Sequence, residues 1–169
     1  VLRNSSGITF AAGEGGGASA TAGDSFYLRG YDTSASIFID GVRDVGAYSR
    51  DVFNVEQVEI TKGPAGADIG RGGATGYVNL VTKMPRLETF AAGTLAYGFD
   101  EQTDGHRERA TLDVNQPVPA SPVTGTALRL NAMIEDNDAI GRAFAHQQAW
   151  SVAPSLALGL GTPDRAFLA

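Results

Sequence analysis

Cysteine is absent from the 169 residues, and histidine occurs only twice, as His106 and His146. The first absence excludes a disulfide framework, a thiol nucleophile and a thiolate metal site. The second leaves too few imidazoles for most zinc chemistry. Charge is also scarce: 19% of residues are Asp, Glu, Lys or Arg, against roughly 25% in ordinary soluble domains. The balance is acidic, with a net charge of −6. A nucleic-acid binder needs a basic face, so that class is excluded. No apolar run reaches the roughly 18 residues that mark a transmembrane helix. A transmembrane β-barrel stays open, because its strands alternate and average out in hydropathy. What the chain does have is glycine, 22 residues of it, and a hydrophobic share of 43%.

Nothing reads as catalytic. Asp40 and Asp44 flank a glycine turn and lack a paired acid–base environment. Ser49 and Ser151 have neither a neighbouring histidine nor a nucleophile elbow. Gly70-Arg-Gly-Gly-Ala-Thr-Gly-Tyr lacks the Lys-Ser/Thr ending of a phosphate loop. There is no initiator Met and no signal-peptide pattern, and a new apolar segment begins near Ala169. The chain reads as a piece of something longer.

Two regions differ in pattern. Residues 1–24 are rich in small side chains, and Glu14–Gly23 has the composition of a flexible linker or long loop. Short β-type segments follow at Ser25–Leu28, Ser36–Ile39, Glu56–Thr61 and Gly76–Thr82, each bounded by Gly, Asp or Pro. Arg50–Gln57 predicts a short helix, with Ser49 as its N-cap.

After Pro85 the chain adopts period two. In residues 126–135, Leu128, Leu130, Ala132 and Ile134 share one face; Arg129, Asn131, Met133 and Glu135 share the other. Residues 108–115 and 149–160 repeat the pattern, and residues 89–100 follow it more loosely. Strands this long exceed the soluble mode of about five or six residues. They match the roughly 9–11 residues of a tilted membrane strand. Alternation alone fits a soluble sandwich or lipocalin-like barrel equally well.

Four strings narrow the choice. They are Phe26-Tyr-Leu-Arg-Gly-Tyr31, Ile37-Phe-Ile-Asp-Gly-Val-Arg-Asp44, Arg50-Asp-Val-Phe-Asn-Val-Glu-Gln-Val-Glu-Ile-Thr-Lys-Gly-Pro64 and Gly70-Arg-Gly-Gly-Ala-Thr-Gly-Tyr-Val-Asn-Leu-Val-Thr-Lys-Met-Pro85. In this order they resemble the plug domain of TonB-dependent outer-membrane receptors. The form Lys62-Gly-Pro-Ala-Gly-Ala-Asp-Ile-Gly-Arg71 is most similar to the catecholate-siderophore branch. The resemblance implies an α+β plug with a small mixed sheet over residues 1–85. Residues 86–169 are then the first four to five antiparallel strands of a transmembrane β-barrel of roughly 22 strands. It implies location in the outer membrane of a Gram-negative bacterium. A ferric siderophore is the cargo, TonB of the inner-membrane energising complex and outer-membrane lipid are the partners, and no resident cofactor is expected. The family's energy-coupling box has no match in these residues.

The resemblance also assigns roles. Three outward loops carry Tyr31, Asp32, Tyr48, Ser49 and Arg50. Arg43, Arg50 and Arg71 are candidate contacts to a polyanionic ferric catecholate, since guanidinium supplies charge and donors while Tyr supplies stacking area. Each arginine is equally satisfied by an internal partner among Asp40, Asp44, Asp51 and Asp68. Arg29 and Lys62 occupy the positions of a plug–barrel latch; Lys62 departs from the usual arginine and loses the bidentate fork. His106 and His146 read as surface histidines. A receptor for cobalamin, heme, another chelate or a glycan remains open, as do a signalling transducer and a soluble β-rich binding module.

Overall fold

A computed structural model describes residue 6 and residues 8–10, 26–32, 36–45, 50–64, 75–100, 105–138 and 146–168. The chain divides into two compact units, Val1–Lys83 and Met84–Ala169. Among the described residues every regular element is a strand, so the helical part of the expected α+β plug is not found among them.

In the first unit, β1 (Ile8–Phe10), β2 (Phe26–Leu28) and β3 (Tyr31–Asp32) form a small antiparallel sheet. A second sheet has the order β5-β4-β7-β6. Its members are β4 (Ile37–Ile39), β5 (Val42–Asp44), β6 (Val55–Lys62) and β7 (Gly76–Thr82). β4 and β7 run parallel while the other pairs are antiparallel, so the sheet is mixed, as expected. The two sheets share one core of Ile8, Leu28, Ile37, Val78 and Leu80, with Ile39, Val55, Val58 and Ile60 packed against it. Branched residues fill it because they suit a pleated surface.

The predicted helix over Arg50–Gln57 does not form. Asp51 Oδ1 accepts the Phe53 N–H at 2.8 Å, and the Val55 N–H bonds to the Val52 carbonyl at 3.1 Å, making a turn. The chain then enters β6, where Val58 and Ile60 face Leu80 and Val78 of β7. Pairing with a distant strand outweighs the weak local helix signal.

The β4–β5 turn is built on Asp40 and Gly41, both at positive φ, of 49° and 80°. Asp tolerates this region because its short side chain bonds nearby backbone. Here the carboxylate accepts the Thr82 N–H at 2.8 Å and the Thr82 hydroxyl at 2.6 Å, fastening the turn to the end of β7.

The second unit is an antiparallel meander of β8 (Phe90–Asp100), β9 (Gly105–Pro117), β10 (Ala127–Asp138), β11 (His146–Leu158) and β12 (Ala166–Leu168), neighbours in sequence order. Directly opposed residues share a face. The register therefore places Leu95, Ala110, Ile134 and Trp150 in one row, and Ala91, Val114, Leu130 and Pro154 in another. This face is exposed, with Leu95 at 87% and Trp150 at 77% of full accessibility. The opposite face buries Asn115, Arg129, Asn131, Met133 and Ser155. Burial is thus the reverse of a sheet in water, where the apolar face turns inward.

Segment 84–90 covers part of the polar face. Asn115 Oδ1 accepts the Arg86 N–H at 2.9 Å, and its amide nitrogen donates to the Arg86 carbonyl at 2.8 Å and to that of Glu88. Arg129 donates to both oxygens of Asp113, at 2.8 Å each, and to the Met84 carbonyl at 2.8 Å; its guanidinium carbon lies 5.1 Å from the Phe90 ring centre. At the same end, the turns after β9 and β11 are knitted by Gly159 N–H to Thr124 O and Leu160 N–H to Gly125 O.

Candidate functional site

Tyr31 and Asp32 stand on β3 and both are exposed. The β2–β3 turn that presents them is Arg29-Gly30, with φ of 53° and 84°. Gly adopts that conformation freely, but for a long side chain such as Arg it is unfavourable. Arg29 therefore sits at an exposed turn apex where backbone preference alone would not put an arginine.

Arg43 is exposed on β5, opposite Phe38, whose buried ring packs edge-on against Tyr77 at 5.4 Å. Val42 and Val45 beside it are also exposed. Arg50 differs. Its Nε donates to Asp44 Oδ2 at 2.9 Å, and its side chain keeps only 6% of its accessibility. Asp44 is among the four acids expected as partners, and Asp68 lies outside the described residues. A buried, charge-assisted contact of this kind is costly to break from one side, since the remaining charge stays buried. Asp51 caps the turn before β6.

Lys62, at the end of β6, donates to the Ser6 carbonyl at 2.7 Å and lies 3.3 Å from its hydroxyl. It ties the start of the described chain to the second sheet. Tyr48, Ser49 and Arg71 lie outside the described residues, as do the linker-like stretch Glu14–Gly23 and the glycines at 66, 70, 72 and 73. Among the described residues no group of three His, Asp or Glu side chains is arranged to hold a metal ion.

Sequence reasoning missed two polar assemblies in the second unit. One is the Asn115–Arg129–Asp113 cluster under segment 84–90. The other is a set of His and Asp side chains at the far strand ends, where Asp138 pairs with His146 and accepts the His106 N–H. Period two put each residue on its face, but gave no sign of the segment that crosses the polar one.

Residues 1–77 match the family described as TonB-dependent Receptor Plug Domain. Across 99% of its length the chain is 45% identical to the catecholate siderophore receptor Fiu of Escherichia coli O157:H7, covering 21% of that protein. The open crystal form of the ferric-catecholate import receptor Fiu from E. coli K12 superimposes with a TM-score of 0.73 at 44% identity, over 85% of this chain and 21% of that one. The siderophore receptor PiuA of Acinetobacter baumannii gives a TM-score of 0.80 at 35% identity, over 95% of this chain and 21% of that one. The chain thus spans about a fifth of the length of the curated relatives it matches. Residues 1–77 thus carry a TonB-dependent receptor plug domain, and the chain as a whole, with its mixed plug sheet and following meander, is similar to receptors of that kind.

Proposed function

We propose that the full protein is an outer-membrane receptor that imports ferric siderophores of the catecholate class, energised by TonB. The observation that carries this reading is that the likeness to a catecholate siderophore receptor runs unbroken through both units. The plug gates the pore and contributes to the ligand surface. Strands β8–β12 begin the barrel wall. Their exposed apolar face meets lipid, and their polar face, with the Arg109–Glu135 pair at 2.7 Å, turns to the lumen. The apolar band ends at the row Leu95–Ala110–Ile134–Trp150, where Trp150 suits the membrane interface. Two more rows, polar on β9 to β11, extend beyond it.

Ferric catecholates carry net negative charge and flat rings. Tyr31, Arg43, Tyr48, Ser49, Arg50 and Arg71 are the side chains proposed to meet them, with Asp32 bonding ligand donors. Arg29 and Lys62 are proposed to latch the plug to acidic groups of the barrel wall. The unfavourable backbone at Arg29 supports selection for its side chain.

Arg50 gives the sharpest test, because it has two separable roles. As a ligand contact, Arg50→Ala weakens ferric catecholate binding by roughly 10- to 150-fold, the loss of about 1.5–3 kcal/mol in one charge-assisted bond. Binding of a neutral hydroxamate complex changes less. Titration of the purified full-length receptor reads this directly. Unchanged affinity with lowered thermal stability assigns Arg50 to the Asp44 strut alone.

A further inference from the structure

Asp138 ends β10 and His146 begins β11, and the two are directly paired. The cluster around them lies past the apolar band, outside the proposed membrane-spanning rows. Asp138 is held from both sides. Its Oδ2 accepts the His106 backbone N–H at 3.1 Å and lies 2.7 Å from His106 Nδ1. Its Oδ1 lies 3.0 Å from His146 Nδ1. The other nitrogen of the His146 ring, Nε2, faces Asp136 Oδ1 at 3.4 Å. Gln148 donates to Asp136 Oδ2 at 2.8 Å. Asp136 Oδ1 is shut off from solvent and has no hydrogen-bond partner.

Two imidazole nitrogens face that orphaned oxygen, His146 Nε2 at 3.4 Å and His106 Nε2 at 4.0 Å, neither in hydrogen-bonding geometry. A neutral imidazole has one N–H, and an imidazolium has two. His146 stands between two carboxylates. With its single proton on Nδ1 it serves Asp138, and its Nε2 lone pair then confronts Asp136. The other tautomer moves the same conflict to Asp138. Only the doubly protonated ring presents an N–H to both acids at once.

We propose that His146 is a proton-operated clip, which closes on Asp136 and Asp138 in mild acid and so pins the end of β10 to the start of β11. The other groups facing it among the described residues are His106 and Glu108 on β9, Tyr97 on β8 and Gln148 on β11. The direction of titration agrees. The hydrogen bond to Asp138 holds the His146 ring above the ordinary imidazole range; burial opposes this, and the charges of Asp136 and Asp138 add to it. The bond from His146, then the His106 N–H, holds the Asp138 carboxyl below its ordinary value of 3.8. The His146 contribution is therefore complete below about pH 6.5 and disappears as pH rises through the raised value. The Asp138 contribution is present above 3.8 and disappears as pH falls through the lowered value. The clip is closed between those limits.

The test uses the full-length protein in detergent micelles with ring-labelled histidine, titrated by NMR between about pH 5 and 8. Amide hydrogen exchange, corrected for its intrinsic pH dependence, is followed at the ends of β10 and β11. The expected result is a His146 midpoint above about 6.5, with exchange at these ends slowed in parallel as it protonates. Asp136→Asn places an amide donor opposite Nε2 and satisfies the neutral ring. It should lower the midpoint and make the slow exchange independent of pH. His146→Gln should abolish the pH dependence without unfolding the sheet. A wild-type midpoint at or below the ordinary value, or pH-dependent protection that survives both substitutions, overturns the clip.

Discussion

Arg129→Ala should destabilise the protein by about 3–5 kcal/mol, the range seen when one partner of a buried ion pair is removed. Its guanidinium serves both Asp113 oxygens, the Met84 carbonyl and the Phe90 ring. Truncation takes the Arg129 charge away from a carboxylate that keeps 15% of its side-chain accessibility. It also frees a carbonyl of the segment lying over the polar face. Arg129→Lys keeps the charge but not the fork, and should recover only part of the loss. The pair Arg129→Met with Asp113→Leu should cost less than Arg129→Ala alone, because no lone charge stays buried. Denaturant unfolding of the full-length protein in micelles checks the series. Equal stability for Arg129→Ala and wild type would show that segment 84–90 is held by other means.

Gly76→Ala should cost about 3 kcal/mol or more, combining an unfavourable backbone with a clash that cannot relax cheaply. Gly76 has φ +123°, and a Cβ there would sit 1.9 Å from the Thr61 carbonyl oxygen and 2.8 Å from Leu28 Cδ2. The first contact is backbone of the paired strand β6, so β6 and β7 must separate. The second is a core side chain. Gly30→Ala is the control: its φ is +84° but nothing lies within 4 Å of the added carbon. There the cost should fall to the backbone term of about 1–3 kcal/mol. Protease sensitivity of the plug strands in the full-length protein distinguishes the two. Matching losses would show that the space around Gly76 is not what restricts it.

These two sites mark where sequence reading succeeds and stops. The long strands were legible because period two is a local property repeated over many residues. Leu128, Leu130 and Ile134 fell on one face, and Arg129 and Asn131 on the other, as the register confirms. The strands β3 and β5 have two and three residues, too few for any period to emerge. The helix expected over Arg50–Gln57 failed for the opposite reason. Its signal was local, a serine cap and a few compatible residues, whereas the pairing of Val58 and Ile60 with β7 joins positions some twenty residues apart. Ion pairs were half legible. Asp44 stood among the possible partners of Arg50, but only the folded structure shows the bond between them, and shows Asp51 accepting the Phe53 N–H. Asn115 could be assigned to the polar face, yet nothing in its neighbourhood announced that its partners are the carbonyls of Arg86 and Glu88. The glycines read as turn-formers for their freedom at positive φ; at Gly76 the absence of a side chain matters as much, because of what lies beside it.

The most direct measurement is uptake of radioactive iron as a ferric catecholate by a Gram-negative host that has lost its own catecholate receptors and expresses the full-length protein. Uptake should be restored, should require TonB, and should exceed that of a ferric hydroxamate or of labelled cobalamin. Expression and membrane insertion without ferric catecholate uptake, or uptake that persists without TonB, would contradict the assignment as an energised siderophore receptor.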